Sequence, residues 1–527
     1  MVRRGSGRRG RRHRRRSQPR SRARHLLLRV QRAAERAGQR RPAGRVPVRR
    51  RPLLRRGRDR PRGRDRPAPG RGRLPARGPE VAPVAGGAHI RFGLLLEPTG
   101  NAVNGWLDPA TPKGAAVDLG LISRIARLSE EALFSYLFVA DSVSIEPGAK
   151  PYYLNRFEPL TLLGALAAQT RDIGLVATMS TSYTDPFTTA RQIASLDLLS
   201  DGRAGVNVVT SAWESSAANF SDVPLLPHDE RYARADEYVR IMKGLWDSYE
   251  DDAFPEDREA RIYMDPSRQH RLDFQGEYFS VRGPLNIQRS RQGHPVVFQA
   301  GSSPTGRDFA GRHAEAIFAK NNTFEGAAEY YGDVKRRVAE AGRDPDLTRI
   351  FMGAHIVVAP TRAEAEDKYE RILSYTDDAE ALKWLSFFYN YADLSGYDLD
   401  APFPDLSHLG SNHMQGLTRG WEDLARREGL TLRQVARIAT APREEFFGTP
   451  EEVADGLEHW FRDGAADGFL LNPWLQTSGL EDFISLVLPE LRRRGLYPDR
   501  YAGHTLRENL GLPYVPNRHT LARAGAR

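Results

Sequence analysis

Two stretches of this sequence set small hydroxyl residues and a histidine where an anion could be held. Gly301-Ser302-Ser303-Pro304 follows an apolar run, 296–300, and opens an amphipathic stretch, 304–313. Small residues let a backbone approach a ligand, and free amides at a helix N-terminus favour a phosphate. The same four residues also make an ordinary serine cap with proline in the first turn. His228-Asp229-Glu230-Arg231-Tyr232 begins another amphipathic stretch, and residues four apart share one helix face, so His228 and Tyr232 point the same way. There His228 either bonds a ligand or stands exposed beside a capping Asp229. Three further polar residues sit at or near the ends of apolar runs: Asp141 after 136–140, Thr178 late in 173–179, and Asn207 at the head of Asn-Val-Val-Thr-Ser. Asp141 would serve equally as a helix cap or turn residue.

Other chemistries are excluded by what is missing. The chain has no cysteine, which rules out disulfides, thiolate nucleophiles, iron–sulfur clusters and cysteine zinc sites. No His-Glu-x-x-His and no compact His/Asp cluster occurs, so no metal is expected. There is no Gly-x-Ser-x-Gly elbow and no Gly-Lys-Ser/Thr phosphate loop. Gly5-Ser-Gly-Arg-Arg-Gly10 satisfies the dinucleotide pattern letter by letter, but no strand precedes it and arginine surrounds it.

The net charge of +11 is local rather than general. Residues 1–80 hold 31 of the 78 basic residues, all Arg, and only four of the 67 acidic ones. The remainder is net acidic, so no steering of nucleic acid toward it is expected. The basic stretch also has no Phe, Tyr or Trp and is broken throughout by Pro and Gly. Such a segment cannot bury enough apolar surface to offset its ordering entropy. Residues 1–87 are therefore predicted to be a disordered Arg-rich extension, with an over-extended start codon in GC-rich DNA or a transit peptide as its origin. Leu26-Leu27-Leu28 is too short for an export signal or a membrane span, so the cytoplasm is the expected location.

These candidate residues must be positioned by the elements beyond residue 88. Apolar runs at 89–96, 136–140, 173–179, 206–210, 296–300, 316–319, 350–359 and 468–471 alternate with amphipathic stretches. The latter cover about 115–133, 159–170, 185–200, 229–248, 304–313, 325–342, 361–374 and 479–494. Nearly continuous apolar strands suit burial on both faces, as in parallel sheets. Strict alternation over eight units points to a (β/α)8 barrel or a doubly wound sheet, and the absence of a genuine dinucleotide fingerprint favours the barrel. Residues 88–527 are thus predicted to form a TIM barrel with insertions at about 250–293 and 376–448. Barrel active sites gather at the C-terminal strand ends, where Asp141, Thr178, Asn207 and Ser302 fall. The second insertion holds Trp384, Phe387, Phe388, Tyr389 and Tyr391, which would make an aromatic lid or simply an extra packed helix.

Many ordered segments resemble the nitrilotriacetate monooxygenase component A family of the bacterial-luciferase-like flavin barrels, which also includes pristinamycin synthase and dibenzothiophene-sulfone monooxygenase large subunits. They include Ile173-Gly-Leu-Val-Ala-Thr-Met-Ser-Thr-Ser-Tyr, Ala190-Arg-Gln-Ile-Ala-Ser-Leu-Asp-Leu-Leu-Ser-Asp-Gly-Arg, His228-Asp-Glu-Arg-Tyr, Gln299-Ala-Gly-Ser-Ser-Pro-Thr-Gly-Arg-Asp-Phe-Ala and His504-Thr-Leu-Arg-Glu-Asn-Leu-Gly. The resemblance spans about 88–515. It implies a monooxygenase that uses reduced FMN, delivered by a separate NAD(P)H-dependent flavin reductase, and dioxygen to oxygenate a small organic substrate, working as a homo-oligomer. Carried over position by position, the implied FMN contacts are Asp141, Thr178, His228, Tyr232, Ser302 and Ser303. Ser302 and Ser303 would hold the phosphate, His228 and Tyr232 the phosphate or ribityl chain, and Asp141 and Thr178 the isoalloxazine side. Trp106 and Asn207 would lie on the substrate side. One departure bears on the substrate: family members commonly carry Ala-Trp-Arg-His-Pro after the first strand, whereas Gly105-Trp-Leu-Asp-Pro109 keeps Trp106 and loses the Arg-His pair.

The nearest rival is a deazaflavin-dependent oxidoreductase on the same barrel. A barrel glycosidase needs two carboxylates flanking a cleft, and the run from Asn207 to Ser211 contains no acid. A nucleic-acid-binding protein would rest on residues 1–80 alone, with salt-sensitive binding lost on truncation. A chain that begins at His89 is expected to fold and keep its activity; its insolubility beside a soluble full-length chain would place the start of the fold elsewhere.

Overall fold

The computed structural model describes residues 89–145, 149–211, 213–221, 224–320, 323–409 and 415–525. The expected disorder of residues 1–87 lies outside the described residues. Eight parallel strands close a barrel: β1 Arg91–Leu95, β2 Tyr136–Val139, β3 Gly174–Ser180, β4 Ala204–Val209, β5 Val296–Gln299, β6 Ala316–Ala319, β7 Arg349–Ala354 and β8 Gly468–Leu471. Each strand bonds the next in chain order, and β8 closes on β1 with Leu470 opposite Gly93. This is the (β/α)8 barrel that the alternation of runs predicts.

Around it stand α1 Leu119–Glu131, α2 Pro159–Ala167, α3 Pro186–Leu199, α4 His228–Trp246, α5 Pro304–His313 and α6 Phe324–Glu340. Local chemistry sets where they begin. Asp118, Glu158 and Asp185 accept backbone amides at the starts of α1, α2 and α3, satisfying donors that have no partner within the helix. The stretch before β5 carries an antiparallel pair, Phe274–Gln275 with Ser280–Val281.

The seventh unit departs from the simple alternation. The predicted run 350–359 breaks after Ala354, and Val357–Val358 leaves the barrel to pair with Phe447–Gly448. Helix α7, Arg362–Ser374, follows that pair and buries Tyr369, Ile372 and Leu373 in a satellite cluster with Phe447 and Trp474. Three more helices, α8 Asp378–Phe388, α9 Gln415–Glu428 and α10 Leu432–Thr440, surround a small core of their own. The place in the main core before β8 belongs to α11, Pro450–Arg462, through Leu457 and Trp460. The sequence reading assigns no helix to that span. An amphipathic pattern reports an apolar face but not which surface it meets, so 361–374 reads as a barrel helix when it packs elsewhere.

Side chains alternate along each strand between the helix-facing core and the barrel interior. Tyr136, Phe138, Val176, Val296, Phe298, Phe351 and Leu470 fill the interior, with Tyr136 edge-on to Phe298 and Phe351 at 5.0 and 5.1 Å. A short C-terminal helix, Leu506–Leu510, joins the same cluster, its Leu506 against Gly174 and Gly205 at the starts of β3 and β4. Arg507 locks this plug with two hydrogen bonds to Glu315, at 2.8 and 2.9 Å. With the N-terminal end stopped and the middle filled, the C-terminal rim is the end open to chemistry. Among the described residues no helix is long and apolar enough to cross a membrane.

Gly93 faces the interior, where a Cβ would run into the Tyr136 ring. Gly93→Ala is therefore expected to cost about 1–3 kcal/mol by overpacking. Gly332, inside α6, has nothing within 4 Å of the position a Cβ would take, and Gly332→Ala should gain about 0.5–1 kcal/mol. Urea midpoints that move in opposite directions would bear this out; equal midpoints would contradict the interior packing.

Candidate functional site

The inward alternation continues one step past the aromatic layer. It brings Glu97, Thr178, Asn207, Lys320, His355 and Asn472 to the rim at the ends of β1, β3, β4, β6, β7 and β8. All but Lys320 are buried. Asn207 Nδ2 donates to Thr178 Oγ1 at 3.1 Å across the register of β3 and β4. Asn207 Oδ1, Asn472 Oδ1 and Glu97 Oε1 are buried without a hydrogen-bond partner, as are Gln299 Oε1 and Gln476 Nε2. A buried polar atom left unpaired costs about 1–3 kcal/mol, and Asn207, Asn472 and Glu97 bring three such oxygens to this end of the barrel.

Beside it the starts of α4 and α5 meet. Ser303 is the N-cap of α5; its Oγ accepts from the Gly306 amide at 3.1 Å and stands 3.2 Å from His228 Nε2. His228 Nδ1 lies 2.8 Å from Asp229 Oδ1, which also receives Thr305 Oγ1 at 3.0 Å. His228 thus sits beside Asp229 and reaches the other helix, while Asp229 bonds His228 and Thr305 and does not cap the helix, whose N-cap is Pro227. Its ring lies 5.0 Å from that of Tyr232, which packs against Phe309. The Tyr232 hydroxyl closes on Gly301 and Gly306, where no side chain would fit. Arg307 Nε donates to the Ser302 carbonyl at 3.0 Å and the Tyr330 hydroxyl to that of Gly301 at 3.2 Å. These bonds tie down the carbonyls of the turn. Four residues singled out in the sequence, His228, Tyr232, Ser302 and Ser303, therefore come together.

Asp141 has a more particular setting. It follows the inward Ala140, and Arg156 Nη2 pairs with its carboxylate at 2.9 Å. Burial pushes the Asp141 carboxyl above its ordinary range, against the pull of Arg156. Trp106, half exposed, donates from Nε1 to Asn104 Oδ1 at 3.1 Å, and Asn104 in turn donates to Glu380 of α8 at 2.7 Å. The loop after β1 is thus tied to the second insertion. Asp108, where the Arg-His pair is lost, is buried and accepts from Ser478 Oγ at 3.1 Å. The aromatic stretch of α8 is a packed helix: Trp384 and Phe388 lie edge to face, and Phe388 meets Trp421 of α9. It also covers the barrel loops, since Lys150 Nζ stands 5.1 Å over Trp384 and Phe387 lies 6.2 Å from Trp213.

Glu97, Gln299, Lys320, His355 and Asn472 escape the sequence reading. Counting inward positions by twos along β1, β6, β7 and β8 would have found all of these but Gln299, which faces outward beside Gly301. Among the described residues, no three His, Asp or Glu side chains are grouped so as to hold a metal ion.

A closed parallel barrel whose C-terminal rim gathers a capped helix start, a histidine and a tyrosine on one side and unpaired polar atoms around the rest is the arrangement of a barrel enzyme. The chain belongs to the luciferase-like monooxygenases, whose family model matches residues 103–467. It is 43% identical over 432 residues to the N-acetyl-S-(2-succino)cysteine monooxygenase of Bacillus subtilis (strain 168), covering 82% of this chain and 98% of that one. It is 40% identical over 446 residues to nitrilotriacetate monooxygenase component A of Aminobacter aminovorans, covering 81% and 97%. Among solved structures, riboflavin lyase (RcaE) with modified FMN and riboflavin superposes with a TM-score of 0.68 at 35% identity, covering 80% and 96%.

Thr178→Val removes the acceptor of Asn207 Nδ2 and should cost about 1–3 kcal/mol. Pairing it with Asn207→Leu removes both polar partners and should recover part of that loss. Additive costs in the double variant, measured by urea denaturation, would show that the two side chains do not act as one unit.

Proposed function

We propose that this protein is the oxygenase component of a two-component, FMN-dependent monooxygenase. The observation that carries the reading is the meeting of Ser303 and His228 across the starts of α4 and α5, with Tyr232 closed on Gly301. The fit to FMN is chemical: a phosphate needs hydroxyl and amide donors near a helix N-terminus, and a flavin ring and ribityl chain need polar partners like those left unpaired on the rim. The family, and the modified FMN bound in the related riboflavin lyase, support the same cofactor. The name component A, borne by the Aminobacter relative, supports a separate flavin reductase as partner.

Bound in its reduced form, FMN would supply the electrons for activating dioxygen. The chain's own part is to hold and enclose it. Ser302, Ser303 and His228 would bind the phosphate, and Tyr232 would fix the turn that carries the two serines. Thr178 and Asn207 would orient the ring from the ends of β3 and β4, with Asp141 beside them. The loop around Trp106 and helix α8 would keep water from the site, which limits loss of reducing power as hydrogen peroxide. The substrate would be a small organic molecule entering on that side.

Losing one hydrogen bond to a charged group costs about 1.5–3 kcal/mol, or roughly ten- to a hundredfold in affinity. Ser303→Ala and His228→Ala are each expected to weaken reduced-FMN binding by that much in anaerobic titration. Trp106→Ala should disturb substrate turnover more than flavin affinity. The isolated protein should oxidise no NAD(P)H without a reductase. Unchanged FMN affinity in both Ser303→Ala and His228→Ala, or vigorous NAD(P)H oxidation by the isolated chain, would overturn the reading.

A further inference from the structure

Across the ring from β4 and β5, four side chains form one continuous line of hydrogen bonds. Asn101 Nδ2 donates to Glu97 Oε2 at 2.6 Å, and Asn101 Oδ1 stands 3.0 Å from His355 Nε2. His355 Nδ1 lies 2.6 Å from Glu444 Oε1, and the His355 backbone amide donates to Glu444 Oε2 at 2.8 Å. Trp474 stacks on the imidazole at 4.0 Å and 16°, which fixes the plane of the ring. Glu97 and His355 are 1% and 2% exposed. One oxygen of the line, Glu97 Oε1, has no partner.

Counting donors and acceptors along this line leaves a proton over. An amide donates only from nitrogen and accepts only at oxygen. With Asn101 Nδ2 on Glu97, its Oδ1 requires a proton on His355 Nε2. His355 Nδ1 then faces a carboxylate oxygen, and that contact requires a proton as well. The His355–Glu444 pair therefore holds one proton more than a neutral ring beside a carboxylate. Turning the amide over moves the demand: Nδ2 would donate to Nε2, Nδ1–H to Glu444, and Glu97 would have to be the acid that donates to Asn101 Oδ1. In both arrangements the side chains share one extra proton, and the orientation of a single amide decides which end carries it. Lys150 Nζ, 2.5 Å from the Asn101 carbonyl and 3.5 Å from Oδ1, favours the first.

We propose that this line is the proton store of the barrel mouth: Glu97 delivers a proton through its free Oε1, and Asn101, His355 and Glu444 position it and return the proton. The proposal rests on the monooxygenase reading above. There reduced FMN as its anion, dioxygen, substrate and one proton give oxidised FMN, oxygenated substrate and water. The O–O bond breaks, one oxygen atom joins the substrate, the other leaves as water, and the two electrons come from the reduced flavin. One proton must be supplied at each turnover, in a site that the Trp106 loop and α8 would close to bulk water. The charged groups facing Glu97 are Lys150 from the loop after β2, Arg156, which is paired with Asp141, and Lys320 after β6. Lys150 and Lys320 also face His355. Burial raises the Glu97 carboxyl against all three cations and pushes Lys150 down to about 8. The raised Glu97 carboxyl favours the second arrangement, in which Glu97 is the acid, and the Lys150 contact favours the first, so the shared proton lies within reach of both ends of the line.

The test begins on the full-length protein without flavin, by infrared difference spectroscopy across neutral pH. A carboxylic-acid carbonyl band should vanish as pH rises, and Glu97→Gln, which keeps the shape and the bond to Asn101, should lack it. His355→Gln should move the midpoint of that band; if it does not fold, Glu444→Gln serves the same purpose. With reduced FMN, dioxygen and an accepted substrate, Glu97→Gln should lower turnover by about a hundredfold and flatten its pH profile. Glu97→Asp should restore part of the rate. A band that survives Glu97→Gln, a midpoint indifferent to His355 and Glu444, or an unaltered pH profile would overturn the proposal. A network that titrates as described in a protein that oxygenates nothing would uphold the store and refute the monooxygenase reading instead.

Discussion

In a closed parallel barrel each strand gives alternate side chains to the interior, and here the interior has no room left. Tyr136, Phe298 and Phe351 meet edge to face across it, while Leu506 and Leu510 stop the N-terminal end. A packed middle forbids a binding cavity there, and a plugged base forbids access from below. The next inward position on each strand must then lie on the C-terminal rim, at the boundary between an aromatic floor and the loops. Glu97, Thr178, Asn207, Lys320, His355 and Asn472 occupy those positions. The aromatic layer makes a dry, rigid base, and polar groups held above it are reoriented only at a cost in packing.

The rim divides into two functional sides. Around β4 and β5 the groups are partly exposed: a capped helix start, a histidine from a second helix and a tyrosine wedged against glycines. Around β7, β8 and β1 the groups are buried and joined to one another, with a carboxylic acid, an imidazole and a second carboxyl in one line. By the proposed function the first side would anchor the cofactor; the second is buried, where protonation states are readily shifted. The second insertion connects to the proton-holding side through Asn104–Glu380 and Lys150–Trp384. A change in substrate-side residues can therefore reach this line without touching the first side.

How much of this is legible in the sequence depends on whether a residue's partners are near it in the chain. The eight strands are visible because each is a short apolar run bounded by helical periodicity; 316–319 and 468–471 match their strands end for end. Ser302 and Ser303 are legible because the turn into a helix is written locally, and His228 and Tyr232 because they share a face four residues apart. Their meeting, 75 residues apart in sequence, follows from the resemblance and the barrel together. His355 is different. Its partners Asn101 and Glu444 lie 254 and 89 residues away, and it sits inside the predicted run 350–359, one residue past the end of β7, where only the inward count marks it. The misplacement of 361–374 has the same root: an apolar helix face names no neighbour, and Thr449–Glu452, the capping box that starts α11, goes unread. Asp141 is visible as a strand end, but nothing in the sequence near it announces Arg156 as its counter-ion.

The place of the cofactor's phosphate decides whether the two sides of the rim work together as described. A crystal structure of the full-length protein grown anaerobically with reduced FMN tests this most directly. The phosphate is expected within hydrogen-bonding distance of the Ser302 and Ser303 hydroxyls and His228 Nε2, with the flavin ring running toward Thr178 and Asn207. A phosphate bound away from the starts of α4 and α5, with Ser303 and His228 still bonded only to each other, would contradict it.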